Sequence, residues 1–218
     1  MGINVAPAED ADMDRVFEIA CIAFDRNEPL WDVMWPAHWQ ESGRQKGAAR
    51  MRAIRDTTPS TTYLKAVDEE TGVIMGMAKW NFFSDASHAT NLDTPQPAGD
   101  HWETEDESSY AAVMTQLFLT ERNAAIKKSG GHLVSLDILT IDPAYQRRGV
   151  GDALVKWGTK LADDMGVEAV VESSVFGRGL YEKNGFVFVK DVVMRAPDAK
   201  WKDKAEGRIA WMVRPKRQ

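Results

Sequence analysis

A single cysteine, Cys21, leaves the chain without any possible intrachain disulfide, which fits a reducing compartment. Asn-x-Ser/Thr acceptor sites are missing, and Met1 to Asp10 lacks the basic-then-apolar order of a secretory signal. No apolar run approaches the ~20 residues of a membrane span. The expectation is a cytoplasmic protein with no membrane partner. Net positive charge is also lacking. The formal charge is −6 at pH 7, so no nucleic-acid partner is expected, because general nucleic-acid binders are basic. Lysine and arginine disappear altogether from Asn81 to Glu121, a stretch that carries eight acids. Its first part, residues 84–107, crowds three acids at Glu105 to Glu107 and has two prolines and little periodicity. It reads as a mobile acidic insertion. His88 and His101 lie there without tight ligand spacing, and no metal site is expected.

What remains is ordinary for a globular protein. At 218 residues, 44% hydrophobic and 28% charged, residues 1–218 suit one domain with a substantial core. Ile3 to Val5 reads as an edge strand. Asp10 is expected to cap a helix whose apolar face carries Met13, Val16, Phe17, Ala20 and Phe24. Cys21 beside that face suits a small buried hydrophobe better than a nucleophile. Trp31, Met34, Trp35 and Trp39 follow, interrupted by Pro36, either as core between two helix fragments or as a pocket wall. Arg44, Lys46, Arg50, Arg52 and Arg55 suit a solvated helix face. Thr61 to Asp68 and Val73 to Phe83 read as a hairpin. Ser108 or Ser109 is expected to cap a helix with a stripe at Tyr110, Val113, Met114, Leu117 and Ala124, closed by Gly130-Gly131. Leu133 to Ile141 is the most strand-like run. A helix burying Val150, Ala153, Leu154, Trp157 and Leu161 follows it and ends at Gly166. Val167 to Ser173, Phe186 to Met194 and Arg208 to Val213 read as strands, with a short helix over Gly179 to Asn184. The segment from Arg195 to Gln218 carries eight basic and three acidic residues, either solvated or helping to attract an anion.

Chemistry concentrates where one strand meets one helix. The apolar run ends at Asp142-Pro143, a turn carries Gln146-Arg147-Arg148, and Gly149 and Gly151 open the helix. Helix-start amides have no intrahelical acceptor, glycine lets an anion approach the backbone, and arginine adds positive charge. This is the composition of a pyrophosphate cradle. A dinucleotide fingerprint fails, because Leu154 stands where the third glycine belongs; a P-loop fails for want of Gly-Lys-Ser/Thr.

With "LDILTIDP", the loop "QRRGVG" and "GRGLYEKNGF" some thirty residues downstream, the chain resembles the GNAT N-acyltransferase superfamily over Leu133 to Met194. The resemblance implies an α/β (α+β) fold: a central mixed, largely antiparallel sheet of about seven strands, flanked by helices. The strands before and after the cradle helix would splay apart. It implies acetyl-CoA as co-substrate, held by Leu139, Thr140, Ile141, Gln146, Arg147, Arg148, Gly149, Val150, Gly151, Asp152, Ala153, Ser174 and Tyr181. The pantetheine arm would lie along the strand edge like an added strand. The Leu139 amide would serve as oxyanion donor, and Tyr181, the tyrosine of "LYEKNGF", as the acid that protonates the leaving thiolate.

The implied reaction is attack of a primary amine on the acetyl thioester. An amine of pKa about 10.4 is neutral about once in 2,500 molecules at pH 7, a handicap of roughly 4.6 kcal/mol, so a base helps. Asp137, two residues before Leu139 and expected on its face of the strand, and Glu172, near the end of the next strand, are the candidates. The residues alone do not separate them. An aromatic segment beside an acidic loop suits a cationic amine with an apolar body, so a small-molecule acceptor is expected, to a monomer or homodimer. The alternatives are a peptide or protein N-acetyltransferase and an inactive coenzyme A-binding module acting as sensor or scaffold. Tyr181 favours an enzyme over the last.

Overall fold

The computed structural model describes residues 2–25, 27–90, 92 and 101–217. Among these residues seven strands make one sheet: β1 (Ile3–Pro7), β2 (Thr61–Asp68), β3 (Ile74–Ser84), β4 (His132–Ile141), β5 (Ala169–Ser173), β6 (Val187–Met194) and β7 (Gly207–Arg214), in spatial order β1-β2-β3-β4-β5-β7-β6. Every neighbouring pair is antiparallel except β4 and β5. That parallel pair needs a crossover, and helix α5 (Val150–Met165) supplies it.

The period-2 alternation of the strands sorts the core into two layers. Leu64, Ala66, Ala78 and Trp80 pack with Leu154, Val155 and Ala162 of α5. Tyr63 and Met77 face the other way, onto α1 (Met13–Phe24), α2 (Pro29–Met34) and α3 (Glu41–Thr57) through Phe17, Trp31 and Met51. Helix α4 (Glu105–Lys128) adds a third cluster, in which Tyr110 and Met114 meet Met194 and Trp201. Close approach is built into the helices: a Cβ on Gly158 of α5 would stand 2.1 Å from Trp80, and one on Gly47 of α3 would stand 2.1 Å from Phe17.

Two irregularities of β4 shape the centre of the sheet. Lys79 of β3 pairs with Ile138 but Trp80 pairs with Leu136, so Asp137 is the extra residue of a β-bulge. A bulge bends its strand and increases the local twist. On the other side, the β4–β5 ladder runs Val134↔Ala169, Ser135↔Val170, Leu136↔Val171 and stops there. β4 nevertheless continues to Ile141, while Glu172 and Ser173 of β5 pair with Trp211 and Ala210 of β7. The two central strands therefore part just where the bulge bends β4.

Several expectations shift in detail. Asp10 does not cap α1; Glu9 and Asp12 form a capping box, and Asp10 reaches Arg55 at 2.9 Å. Thr104, not Ser108 or Ser109, caps α4, in a capping box with Glu107. The three acids Glu105 to Glu107 thus form the first helical turn, where negative charge favours the helix dipole. Ala124 is exposed, and the buried stripe of α4 continues through Arg122 and Ile126 instead. Of the insertion expected at 84–107, residues 91 and 93–100 lie outside the described residues; Ala86–Ala89 before them is a 3-10 turn and Glu105 to Glu107 after them open α4. No helix among the described residues is long and apolar enough to cross a membrane.

Candidate active site

The cradle is assembled by backbone geometry. Asp142 accepts a hydrogen bond from the Ala144 N–H at 2.9 Å and pairs with Arg15 of α1, pinning the turn that leaves β4. Arg147 takes φ 62° and Gly149 φ 89°, both left-handed, and α5 starts at Val150. The Ala153 N–H reaches Gly149 O at 3.0 Å. The amides of Val150, Gly151 and Asp152 precede the first closed helical turn and face outward for an anion. Arg148 lies with its guanidinium 5.4 Å from the Tyr145 ring, and the Gln146 side chain donates to Ile141 O at 3.4 Å. The carboxylate of Asp152, unwelcome beside an anion, is taken up by Lys156 at 2.7 Å, Asn184 at 3.0 Å and Lys183 at 3.3 Å. Hydrogen bonding to Lys156 and these neighbours holds it below the usual carboxylate range.

From the cradle the unpaired edge of β4, past Leu136, runs through Leu139, Thr140 and Ile141. Such an edge accepts an extended ligand. It leads to a cavity of about 700 Å³ whose lining includes Asp137, Leu139, Glu172, Ser174 and Tyr181. Tyr181 projects from α6 (Arg178–Lys183), is 6% exposed, and meets Phe186 edge-on at 5.8 Å. Burial, then the charge of Glu172, holds its phenol above the ordinary range, so at neutral pH it carries the proton that an acid must deliver.

The two candidate bases share one cation. Arg122 of α4 donates from Nε and Nη2 to Glu172 at 3.0 and 2.5 Å, and its Nη1 lies 2.7 Å from Asp137. Lys79 of β3 holds the other Asp137 oxygen at 2.6 Å. Two cations thus face two anions, and Arg122 is only 4% exposed. Burial alone would raise Asp137, but Lys79 and Arg122 overcome it and hold this carboxyl far below its ordinary range. Glu172 moves the opposite way: burial, aided by the Asp137 charge, raises it against the pull of Arg122. The bulge also takes Asp137 off the face of Leu139. Leu139 packs toward α5, whereas Asp137 joins Lys79 and Arg122 on the opposite layer. Arg122 and Lys79 were missed by the sequence reading. The available signal was an arginine at a buried-stripe position, four residues from both Phe118 and Ile126 of α4.

The tryptophan segment serves both readings offered for it. Trp31 and Trp35 pack with Phe17, at centroid distances of 6.0 and 5.1 Å, and also line the cavity. Trp39 is 43% exposed and stays outside the lining. Of the basic run, Arg52 and Arg55 pair with Asp14 and Asp10 as a solvated face would. Arg50 turns into the cavity instead. The acids of α4's first turn do not wall the cavity. Asp106 is held by Lys200 at 2.8 Å and by the Trp201 indole at 3.1 Å. Cys21 is buried, and burial pushes its thiol up to about 12, as an inert core residue requires.

Residues 110–188 match the model of the acetyltransferase (GNAT) domain. Over those residues the chain carries the sequence pattern of a GNAT acetyltransferase domain. Among curated proteins none matches the sequence. Among solved structures, the chain is similar to a histone acetyltransferase HPA2 and related acetyltransferase from Corynebacterium glutamicum. That likeness has 20% identity and a TM-score of 0.62 and covers 100% of this chain and 98% of the other. It is similar to the polyamine N-acetyltransferase of Drosophila melanogaster, at 14% identity and TM-score 0.66, covering 97% and 99% of the two chains. A phosphinothricin acetyltransferase from Sinorhizobium meliloti in complex with AcCoA matches at 15% identity and TM-score 0.55, over 99% and 89%. At such identities the likeness is one of fold, and it agrees with the seven-stranded, centrally splayed sheet described above.

Proposed function

We propose that this GNAT acetyltransferase transfers the acetyl group of acetyl-CoA to the primary amine of a small molecule. The observation that carries the reading is convergence: the free edge of β4, Glu172 and Tyr181 all open onto one cavity. The residues at the start of α5 suit a pyrophosphate, since three outward amides, Gly149 and two arginines stand there together. Ser174, just past β5, borders the same cavity across the wedge. The Leu139 N–H is the oxyanion donor. Nucleophilic attack forms the C–N bond and breaks the C–S bond, and Tyr181 gives its proton to the departing sulfur. Glu172, whose carboxyl burial raises above its ordinary range, takes the proton of the amine directly or through one water. Asp137, held anionic, keeps Arg122 and hence Glu172 in place.

The small-molecule acceptor is supported by the aromatic end of the cavity around Trp31 and Trp35. The Drosophila neighbour, named as a polyamine N-acetyltransferase, points the same way. The test is thiol release from acetyl-CoA over a panel of amines, polyamines, amino acids and peptides. Turnover with small amines and none with peptides supports the proposal. Coenzyme A binding without turnover of any acceptor would favour a sensor or scaffold.

A further inference from the structure

The acceptor end of the cavity holds a cation that the chemistry above does not use. Arg50 leaves the middle of α3 and lines the cavity. Its Nη1 donates to the Met34 carbonyl at 2.6 Å, and its guanidinium lies 4.5 Å from the Trp35 ring and 5.2 Å from the Trp102 ring. The other three arginines of α3 each have a carboxylate: Arg44 pairs with Glu41, Arg52 with Asp14, and Arg55 with Asp10 and Asp56. Among the described residues no carboxylate pairs with Arg50. Glu28 borders the same cavity but forms no ion pair or hydrogen bond with Arg50. Asp137 and Glu172 are already matched by Lys79 and Arg122.

A guanidinium has five N–H donors, and a single carbonyl leaves most of them unused. A cation partly stripped of water without a counter-charge is costly, and the two ring contacts offset only part of that cost. Burial accordingly lowers the Arg50 pKa. The negative charge absent from the protein here is one that a ligand can bring.

We propose that Arg50 is the subsite for a carboxylate on the acceptor, which makes the preferred acceptor an apolar amino acid rather than a simple alkyl or aryl amine. This rests on the acetyltransferase reading given above. A planar guanidinium takes a carboxylate in two parallel hydrogen bonds, which fixes orientation as well as position. With the carboxylate on Arg50 and the apolar body against Trp31 and Trp35, the amine is free to point toward Glu172, which lines the same cavity. The missing counter-ion and the aromatic wall then have one explanation. A polyamine, cationic at both ends, would be repelled from this end of the cavity.

The test compares matched pairs that differ only by the carboxylate: phenylalanine with phenethylamine, tryptophan with tryptamine, leucine with 3-methylbutylamine. For the wild type, kcat/KM for the carboxylated member should exceed that of its partner at least tenfold. Arg50→Gln should collapse that ratio at least tenfold, chiefly through KM, and Arg50→Lys should restore part of it. If Arg50 only buttresses Trp35 and Trp102, the variants lower both members alike and the ratio stays, which overturns the proposal. A wild-type preference for the decarboxylated member overturns it as well. A second readout does not depend on turnover. Quenching of tryptophan fluorescence by N-acetylphenylalanine and by N-acetylphenethylamine should give at least tenfold tighter binding of the acid in the wild type and equal binding in Arg50→Gln. Selective binding without turnover would sink the acetyltransferase reading and keep the subsite; turnover without selectivity would do the reverse.

Discussion

At the scale of single residues, the account divides labour among side chains that look equivalent in the sequence. Tyr181 as the acid predicts that Tyr181→Phe lowers kcat about 10²-fold, within the usual range for such catalysis, while calorimetry finds the affinity for coenzyme A unchanged. Glu172 and Asp137 should separate by pH. With its carboxyl raised, Glu172 must lose its proton to act, so kcat/KM should fall toward acid through that group. Glu172→Gln should remove this limb from the pH–rate profile and Asp137→Asn should leave it. Asp137 bears on stability: its folded pKa lies below its unfolded value, near 3.9. Its contribution is therefore complete above the unfolded value and lost as pH falls toward the folded one. Removing the shared cation is harsher. Arg122→Met should cost about 3–5 kcal/mol at pH 7, because the buried Glu172 loses its cation and Asp137 keeps only Lys79. The loss in urea denaturation should shrink toward pH 5, as protonation relieves the uncompensated charge. Tyr181 was legible because it belongs to a contiguous motif. Arg122 and Lys79 were not, since their partners lie 50 and 58 positions away and only the folded sheet joins them.

At the scale of elements, strands and helices were readable wherever a period was clean. The alternation in β2 and β3 and the apolar stripes of α1 and α5 were of this kind. The bulge was not, because one extra residue in "LDILTI" leaves the run of apolar residues intact while turning Asp137 to the other layer. The cap of α4 was misplaced because a capping box at Thr104 and Glu107 turns the acidic cluster into a helical turn. Helix α5 supports two separable predictions. Gly149 holds φ 89°, a conformation that costs other residues roughly 1–2 kcal/mol. Gly149→Val should therefore raise the Kd for coenzyme A at least tenfold by calorimetry. Gly158 lies at the other side of the same helix, where a Cβ would stand 2.1 Å from Trp80. Gly158→Ala should destabilise by about 1–3 kcal/mol through overpacking, seen as a lower Tm with the coenzyme A affinity of the remaining folded protein retained.

At the scale of the whole molecule, function follows from where two strands stop pairing. The bulge bends β4, the ladder to β5 ends at Leu136↔Val171, and the gap joins the helix start proposed for the pyrophosphate to a cavity walled by α2, α3, α4 and β7. The donor half of that arrangement was legible in the sequence, since it is built from a local loop. The acceptor half was not, because its walls come from α2, α3, α4 and β7, brought together by the sheet. The most direct measurement is the release of coenzyme A thiol from acetyl-CoA with small primary amines, run beside Tyr181→Phe. The account predicts turnover with the wild type and about 10²-fold less with the variant at equal coenzyme A affinity. Binding of coenzyme A with no acceptor turned over, or equal turnover in both proteins, would contradict it.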